Sequence, residues 1–555
     1  MFIIENLTYK INHIDTIFEN LSFTIGNEKI AIVGQNGIGK SILLQLLIGE
    51  LKPYYGEIIK NGVNFSYFPQ KFNELNFSTV ADVFGFEKQV ISLKKVDEGT
   101  AEAEDYGILD GNWDCIDKIQ EKMKFFGLKF ELLRDFRTLS GGEKVKLILS
   151  SIIDKNSNFL ILDEPTNNMD YESKKCFYEF IRNWQNGLIV VSHDRELLNL
   201  VNKIYELRRI GMKNTKIFVY GGNFDYWKKQ KEIEEKALEN QYEETNKKIS
   251  HQKKILQSER EFAEKKRKQG ESGLATNKYP KKGYGLMKMA AESKRGQLVI
   301  QDIKRVERTE KNISELENKI EVKQKIYFKF SQNTFSNKFL VQIENLSFWY
   351  GMKQIFNDFS FEVFGGERIA IEGKNGSGKT TLLKLIMNKL AVSEMDLTSL
   401  TSNCTIANDS QIYTNMEFKG EIRVNAKNIA YLDQNCDFLQ NNETILKNIQ
   451  SYNSTISEKD CRDILAQFLF RTDDVYKKIK NLSGGEKLRV ALACVLSDKN
   501  TPELLLLDEP TNNMDLDSIQ VLENILNQYK GAIVLISHDK VFKENIKIKE
   551  YIKIN

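Results

Sequence analysis

"GQNGIGKS" (Gly34–Ser41) follows the apolar run "KIAIVG", and the same pattern returns as "GKNGSGKT" (Gly373–Thr380) after "RIAIEG". In both places a strand feeds a glycine-rich turn that opens a helix. Three more stretches recur in the same order: "LSGGEK" at Leu139–Lys144 and Leu482–Lys487, "LDEPTNNMD" at Leu162–Asp170 and Leu507–Asp515, and "SHD" at Ser192–Asp194 and Ser537–Asp539. The offsets are 339 residues for Lys40 to Lys379, 343 for Ser140 to Ser483, 345 for Glu164 to Glu509 and 345 for His193 to His538. Nearly constant offsets mean one domain written twice. Gln70 and Gln434 lie 364 apart, so the second copy carries about 25 extra residues before its glutamine and about 21 fewer after it, as surface loops on a shared frame allow. The runs "NFLILDE", "GLIVVSHD", "ELLLLDE" and "GAIVLISHD" are continuously apolar, as buried parallel strands are. The pattern predicts an α/β fold with a largely parallel sheet in each copy.

The chain has 555 residues, 41% of them hydrophobic, enough for several cores. No apolar run reaches the ~18–20 residues that span a bilayer. The start, "MFIIENLTYK", enters a strand pattern at once and lacks a signal peptide's basic and apolar regions, which predicts a cytoplasmic protein. Six cysteines without a CxxC read as reduced thiols rather than a disulfide scaffold or zinc site. The net charge of +3 hides an uneven distribution: Lys228–Lys329 holds 27 Lys or Arg against 17 Asp or Glu, a net of +10, and the remainder is −7. Such a segment points to a local anionic partner.

GxxxxGK[ST] is the P-loop. Here it is spelled Gly34, Gln35, Asn36, Gly37, Ile38, Gly39, Lys40, Ser41, and again Gly373, Lys374, Asn375, Gly376, Ser377, Gly378, Lys379, Thr380. The glycines let backbone N–H groups curl around phosphates, and the helix start adds its dipole. The lysine reaches the β- and γ-phosphates, and the Ser41 or Thr380 hydroxyl ligates Mg²⁺. Asp163 and Asp508 close apolar strands, where a carboxylate holds Mg²⁺ directly or through water. Glu164 and Glu509 follow and are candidates to orient or deprotonate the attacking water. His193 and His538, two of the four histidines, share one repeated position after a strand, which favours γ-phosphate sensing over a structural role.

With these motifs both halves, about four-fifths of the chain, resemble ATP-binding-cassette (ABC) ATPases. The resemblance implies two tandem nucleotide-binding domains that hydrolyse ATP to ADP and phosphate with Mg²⁺. It implies that LSGGEK acts in trans: Ser483, Gly484 and Gly485 cap ATP on the first P-loop, and Ser140, Gly141 and Gly142 cap ATP on the second. Gln70 and Gln434 join the metal side of their sites. Both sites keep the full set, so two hydrolysis-competent sites are expected. Tyr350 resembles the aromatic that stacks on adenine. Ile11 falls at its place in the first copy, and Tyr9 is out of register.

Asn223–Gln269 has neither Gly nor Pro and carries i,i+4 Glu/Lys pairs such as Glu232/Lys236 and Glu264/Lys268. Gln297–Tyr350 also lacks both breakers and repeats Val299, Val306, Ile313 and Ile320 at heptad spacing. The pattern predicts an antiparallel helical hairpin, a coiled-coil-like arm roughly 60 Å long. Its tip is a basic, aromatic stretch near 265–296. There Lys278, Tyr279, Lys281, Lys282, Tyr284, Leu286, Met287 and Lys288 mix phosphate-neutralising charge with stacking and apolar reach, a combination suited to folded RNA. The domain boundaries expected are 1–225, 226–335 and 336–555.

Two cassettes in one chain, a charged linker, "DEPTNxxD" twice, "VSHDREL" and "VYGGNFDYW" (Val219–Trp227) resemble the ABC-F family. The common family form has His at positions 168 and 513 and Leu at 169 and 514. Asn and Met here keep a hydrogen-bonding side chain and apolar volume. The resemblance implies a ribosome-binding ATPase whose linker reaches toward tRNA and the peptidyl-transferase region. The lack of a long helical insertion between Gln70 and Leu139, and only 17 residues after His538, look most like the antibiotic-resistance, ribosome-protecting branch. The expected partners are large-subunit RNA and peptidyl-tRNA, with no membrane, for a monomer whose two cassettes pair within the chain. A housekeeping ABC-F translation factor and the cytosolic ATPase subunit of an ABC transporter are the alternatives.

Overall fold

The computed structural model describes residues 1–11, 15–70, 76–124, 126–153, 157–167, 169–210, 214–275, 338–387, 416–453, 456–468, 470, 473–497, 501–512 and 514–554. The first half contains β1 (Phe2–Ile11), β2 (Asp15–Ile25), β3 (Lys29–Gly34), β4 (Tyr55–Lys60), β5 (Phe65–Phe68), β6 (Phe159–Asp163), β7 (Gly187–Val191), β8 (Lys203–Ile210) and β9 (Asn214–Gly221). The second contains β10 (Phe339–Tyr350), β11 (Lys353–Phe364), β12 (Arg368–Glu372), β13 (Met416–Val424), β14 (Ile429–Leu432), β15 (Leu504–Asp508), β16 (Ala532–Ile536) and β17 (Glu550–Lys553).

Each half has the same two sheets. An antiparallel sheet runs β2-β1-β4 in the first half and β11-β10-β13 in the second. A larger sheet runs β5-β6-β7-β3-β8-β9 in the first and β14-β15-β16-β12-β17 in the second. The pairs β5/β6, β6/β7, β3/β7 and β3/β8 are parallel, as are β14/β15, β15/β16, β12/β16 and β12/β17. Every residue of β6, β7, β15 and β16 is buried, which explains their unbroken apolar spelling: layers cover both faces of the sheet. The expected α/β architecture, two copies of one parallel-sheet domain, is what the structure has.

The glycine loops connect β3 to the helix Lys40–Ile48 and β12 to the helix Lys379–Met387. Gly39 sits at φ 108°, and a Cβ there would lie 2.8 Å from Ile17 Cγ2, so only glycine lets the loop pass. Leu43, Leu44, Leu46 and Leu47 anchor the first of these helices in the core. Ser140 and Ser483 cap the helices Gly141–Ile152 and Gly484–Leu496, each in a reciprocal box with the glutamate three residues on.

The two halves fall in one compact unit, and the segment from Asp225 belongs to another. In that segment a single helix runs Phe224–Ala275, 52 residues. It continues through Gly270 and Gly273, into the stretch expected to form the tip. Two glycines cost a helix only ~1 kcal/mol each, and the first proline does not come until Pro280. The rest of the predicted tip, including Lys278, Tyr279, Lys281, Lys282, Tyr284, Leu286, Met287 and Lys288, and the predicted return helix lie outside the described residues.

Candidate functional site

The P-loop lysines are the most constrained cations of the loops. Lys40 Nζ donates to the carbonyl oxygens of Gly34 (2.7 Å) and Gln35 (3.2 Å) and to Asn36 Oδ1 (3.3 Å). Lys379 Nζ donates to Gly373 O (2.7 Å) and Lys374 O (2.9 Å). Burial lowers both ammonium pKa values, against the pull of Glu164 on Lys40 and of Glu509 on Lys379. The loops thus hold their cations curled back on their own carbonyls, ready to be redirected to a phosphate.

Asp163 and Asp508 end β6 and β15 beside the P-loop helix starts. Burial pushes Asp163 up to about 6, while a hydrogen bond from Ser41 and the charge of Lys40 pull the other way. Asp508 is also raised by burial, opposed by Thr380 and by Tyr431, whose hydroxyl donates to Asp508 Oδ2 at 3.4 Å. Asp163 Oδ1 is buried without a hydrogen-bond partner. An unsatisfied hard oxygen next to a hydroxyl is the donor set Mg²⁺ takes, so Ser41 with Asp163 and Thr380 with Asp508 fit the ion. Gln434 lines the second site, whereas Gln70 is exposed at the edge of the described chain.

Glu164 and Glu509 both have φ 48°, a left-handed conformation that glutamate rarely adopts. The strain is held by the sheet: Glu164 N–H donates to Val191 O at 2.8 Å and Glu509 N–H to Ile536 O at 2.9 Å. Such strain clusters at functional positions. Burial pushes Glu164 up to about 8 and Glu509 up to about 7. His193 Nε2 lies 3.3 Å from Glu164 Oε1, too poorly aligned for a hydrogen bond, and both its ring nitrogens are buried without partners. His538 Nε2 lies 3.3 Å from Glu509 Oε1 and 3.3 Å from Asn375 Oδ1. Burial lowers both histidines, His538 to about 3, so both rings are neutral.

The halves meet at these groups. Asn36 N–H donates to Asp515 Oδ2 at 3.0 Å, and Arg195 Nη1 pairs with Glu523 Oε1 at 2.6 Å in a nearly buried contact. A cavity of about 480 Å³ is lined from the second half by Tyr350, Lys379, Thr380, Asp508, Glu509 and His538, and from the first half by Thr166, Met169 and Lys174. Tyr350 is the last residue of β10, paired with Lys353; Ile11 ends β1 paired with Asp15, the matching register. Neither signature serine lines that cavity. The Oγ of Ser140 donates to Glu143 Oε2 at 2.8 Å and that of Ser483 to Glu486 Oε2 at 2.9 Å, so both hydroxyls are engaged in their own helix caps. The S-x-x-E spelling carried that signal. Sequence reasoning also missed Lys174 and the Arg195–Glu523 pair, whose partners are 328 residues apart.

A family model described as ABC transporter matches residues 18–167 and 356–512, and a second one with the same description matches 210–275. The chain belongs to the ABC family, and its two fused cassettes with the extension between them are of the ABC-F kind. Cassettes of this family bind and hydrolyse ATP, generally with Mg²⁺. The chain is 29% identical to the ATP-binding protein Uup of Buchnera aphidicola subsp. Schizaphis graminum, over 95% of this chain and 76% of that protein. It is 26% identical to the ribosome protection protein VmlR of Bacillus subtilis, over 97% of this chain and 84% of that protein. Among solved structures it resembles an archaeal ribosome recycling factor, aABCE1, in complex with the stalk protein aP1. That likeness has a TM-score of 0.56 at 17% identity, covering 98% of this chain and 86% of the other. An RNase-L inhibitor gives a TM-score of 0.54 at 16% identity over 98% of this chain and 87% of that one; both likenesses concern the fold alone. Among the described residues no helix is long and apolar enough to cross a membrane.

Proposed function

We propose that the chain is a cytoplasmic ribosome-protecting ATPase, a clamp whose two composite ATP sites close the cassettes on each other while the linker acts on ribosomal RNA and peptidyl-tRNA. The match to a ribosome protection protein, over 97% of this chain and 84% of that protein, carries the reading. The basic segment Lys228–Lys329, with its net +10, supports it because neutralising backbone phosphates supplies much of a protein's affinity for nucleic acid.

In the first site Gly34–Ser41 cradle the phosphates, Glu164 takes the proton of the attacking water and neutral His193 faces the γ-phosphate. Ser483, Gly484 and Gly485 approach from the other cassette once Ser483 is released from its cap. The second site repeats this with Gly373–Thr380, Glu509, His538 and Ser140, Gly141 and Gly142, and Tyr350 stacks on adenine. Ser41 with Asp163, and Thr380 with Asp508, would hold Mg²⁺, which would supply positive charge against the phosphate oxygens. Loss of the γ-phosphate removes what holds the cassettes together, and the clamp leaves the ribosome.

The general base works as a carboxylate, so each site gains rate as pH rises through the pKa of its glutamate. With Glu509→Gln only the first site cleaves, and single-turnover hydrolysis is expected to rise to half its plateau near pH 8; with Glu164→Gln it does so near pH 7. A rising limb at the ordinary carboxylate pKa in either variant would refute the assignment.

The function is tested in drug-inhibited translation with purified components. The wild-type protein is expected to restore synthesis in the presence of a drug acting at the peptidyl-transferase centre or exit tunnel. A chain with 277–296 replaced by a short turn is expected to lose that rescue while keeping ATPase turnover. Ribosome binding without rescue of any drug would favour the housekeeping role, and co-purification with a membrane subunit would favour the transporter.

A further inference from the structure

One difference between the two cassettes at a nucleotide site lies just after the repeated "LDEPTNNMD". Four residues after Asp170 the first copy has Lys174, and four after Asp515 the second has Ile519. Ile519, 2% exposed, packs in the apolar core of the second half and presents only an aliphatic edge to the cleft that also touches Glu164. Lys174, on the helix Tyr171–Asn183, instead reaches the interface, with its Nζ 3.2 Å from Asp194 Oδ2. Asp194 is held in place: it accepts the Tyr178 hydroxyl at 2.6 Å and caps the short helix Arg195–Leu198. Lys174 thus stands on a fixed carboxylate while lining the second site's cavity with Lys379, Glu509 and His538. It also lines a narrow cleft that touches both Glu164 and Glu509.

We infer that Lys174 is a positioning cation that the first cassette lends to the second ATP site alone, where it orients the Glu509 carboxylate and makes the two sites chemically unequal. Burial by itself would lower the Lys174 ammonium, but Asp194, Asp539 and Glu509 around it outweigh burial and keep it charged. Its field acts on Glu509 from across the cassette boundary, so it reports closure to that site. The second half offers Glu164 no cation at the matching position, which holds an aliphatic side chain in a core. The inference rests on the two-site reading above.

The test is single-turnover cleavage of prebound, γ-labelled ATP in chains with one working site. In the Glu164→Gln background, which cleaves at the second site, Lys174→Met is expected to slow the step about tenfold or more. In the Glu509→Gln background the loss is expected to be at least about fivefold smaller, while ATP affinity changes little in either. Lys174→Arg, which keeps the charge, is expected to recover the second-site rate. Lys174→Gln, which keeps a donor for Asp194 without the charge, is expected to reproduce the selective loss and separates it from a folding defect. Equal losses at the two sites for both Met and Gln, or no loss at the second, would overturn the inference. If neither single-site background cleaves ATP, the two-site reading falls, and this inference with it.

Discussion

A chain carrying both Glu164→Gln and Glu509→Gln is expected to bind ATP, close, and stay closed on the ribosome. Turnover should fall by at least ~10²-fold, about 2.7 kcal/mol of lost transition-state stabilisation, the usual scale for removing a general base. Both glutamates occupy a left-handed backbone position fixed by a hydrogen bond to the neighbouring strand, so the carboxyl cannot be supplied from elsewhere. Burial raises both, which means the folded chain bears a cost for the charge that an amide of the same shape does not. The double variant should therefore be no less thermally stable than the wild type. Sedimentation through sucrose with ATP and Mg²⁺ checks the outcome: the variant is expected in the ribosome pellet, and rapid release would count against a hydrolysis-timed clamp.

The second large effect is expected from Lys379→Met. The residue is 8% exposed, and its ammonium donates to two loop carbonyls. Removing it takes away the P-loop's own phosphate-directed cation and leaves both carbonyls without their donor. ATP affinity at the second site is expected to drop at least ~10²-fold, about 2.7 kcal/mol, as loss of a buried charge-assisted contact implies. Equilibrium titration with a fluorescent ATP analogue measures it. An affinity within threefold of the wild type, roughly 0.6 kcal/mol, would show that the loop binds phosphate through its backbone alone.

The repeated parts of this protein were readable because repetition removes chance. "FLILD" and "LLLLD" had to be buried strands once the same run of apolar positions preceded Asp163 and Asp508 in both copies, and both are fully buried. The P-loops were readable because their spelling is their geometry: a Cβ at Gly39 collides with Ile17. What escaped reading depends on contacts distant in sequence. Nothing around Arg195 announces Glu523, whereas the S-x-x-E within "LSGGEK" does spell the box in which Glu143 or Glu486 takes the serine hydroxyl, a signal passed over in favour of the nucleotide-capping role. Lys174 escaped for the opposite reason. It is a difference between the copies, and a search for likeness passes over it. The linker helix outran its expected end because helix propensity is a sum over many residues, and two glycines late in a charged, alanine- and glutamate-bearing run do not reverse it.

The 52-residue helix also has a mechanical consequence. At 1.5 Å per residue it is a rod about 78 Å long, so a tilt of about 10° at Phe224 carries Ala275 through about 14 Å. A nucleotide site works on distances of an ångström or two, the difference between a phosphate held and a phosphate gone. A rod of this length turns a small tilt at its root into a displacement at its far end, with a gain that grows in proportion to its length. Shortening the rod by two turns would trim that gain by about a seventh while returning the far end to nearly the same azimuth, so reach and aim are separately adjustable by insertion or deletion.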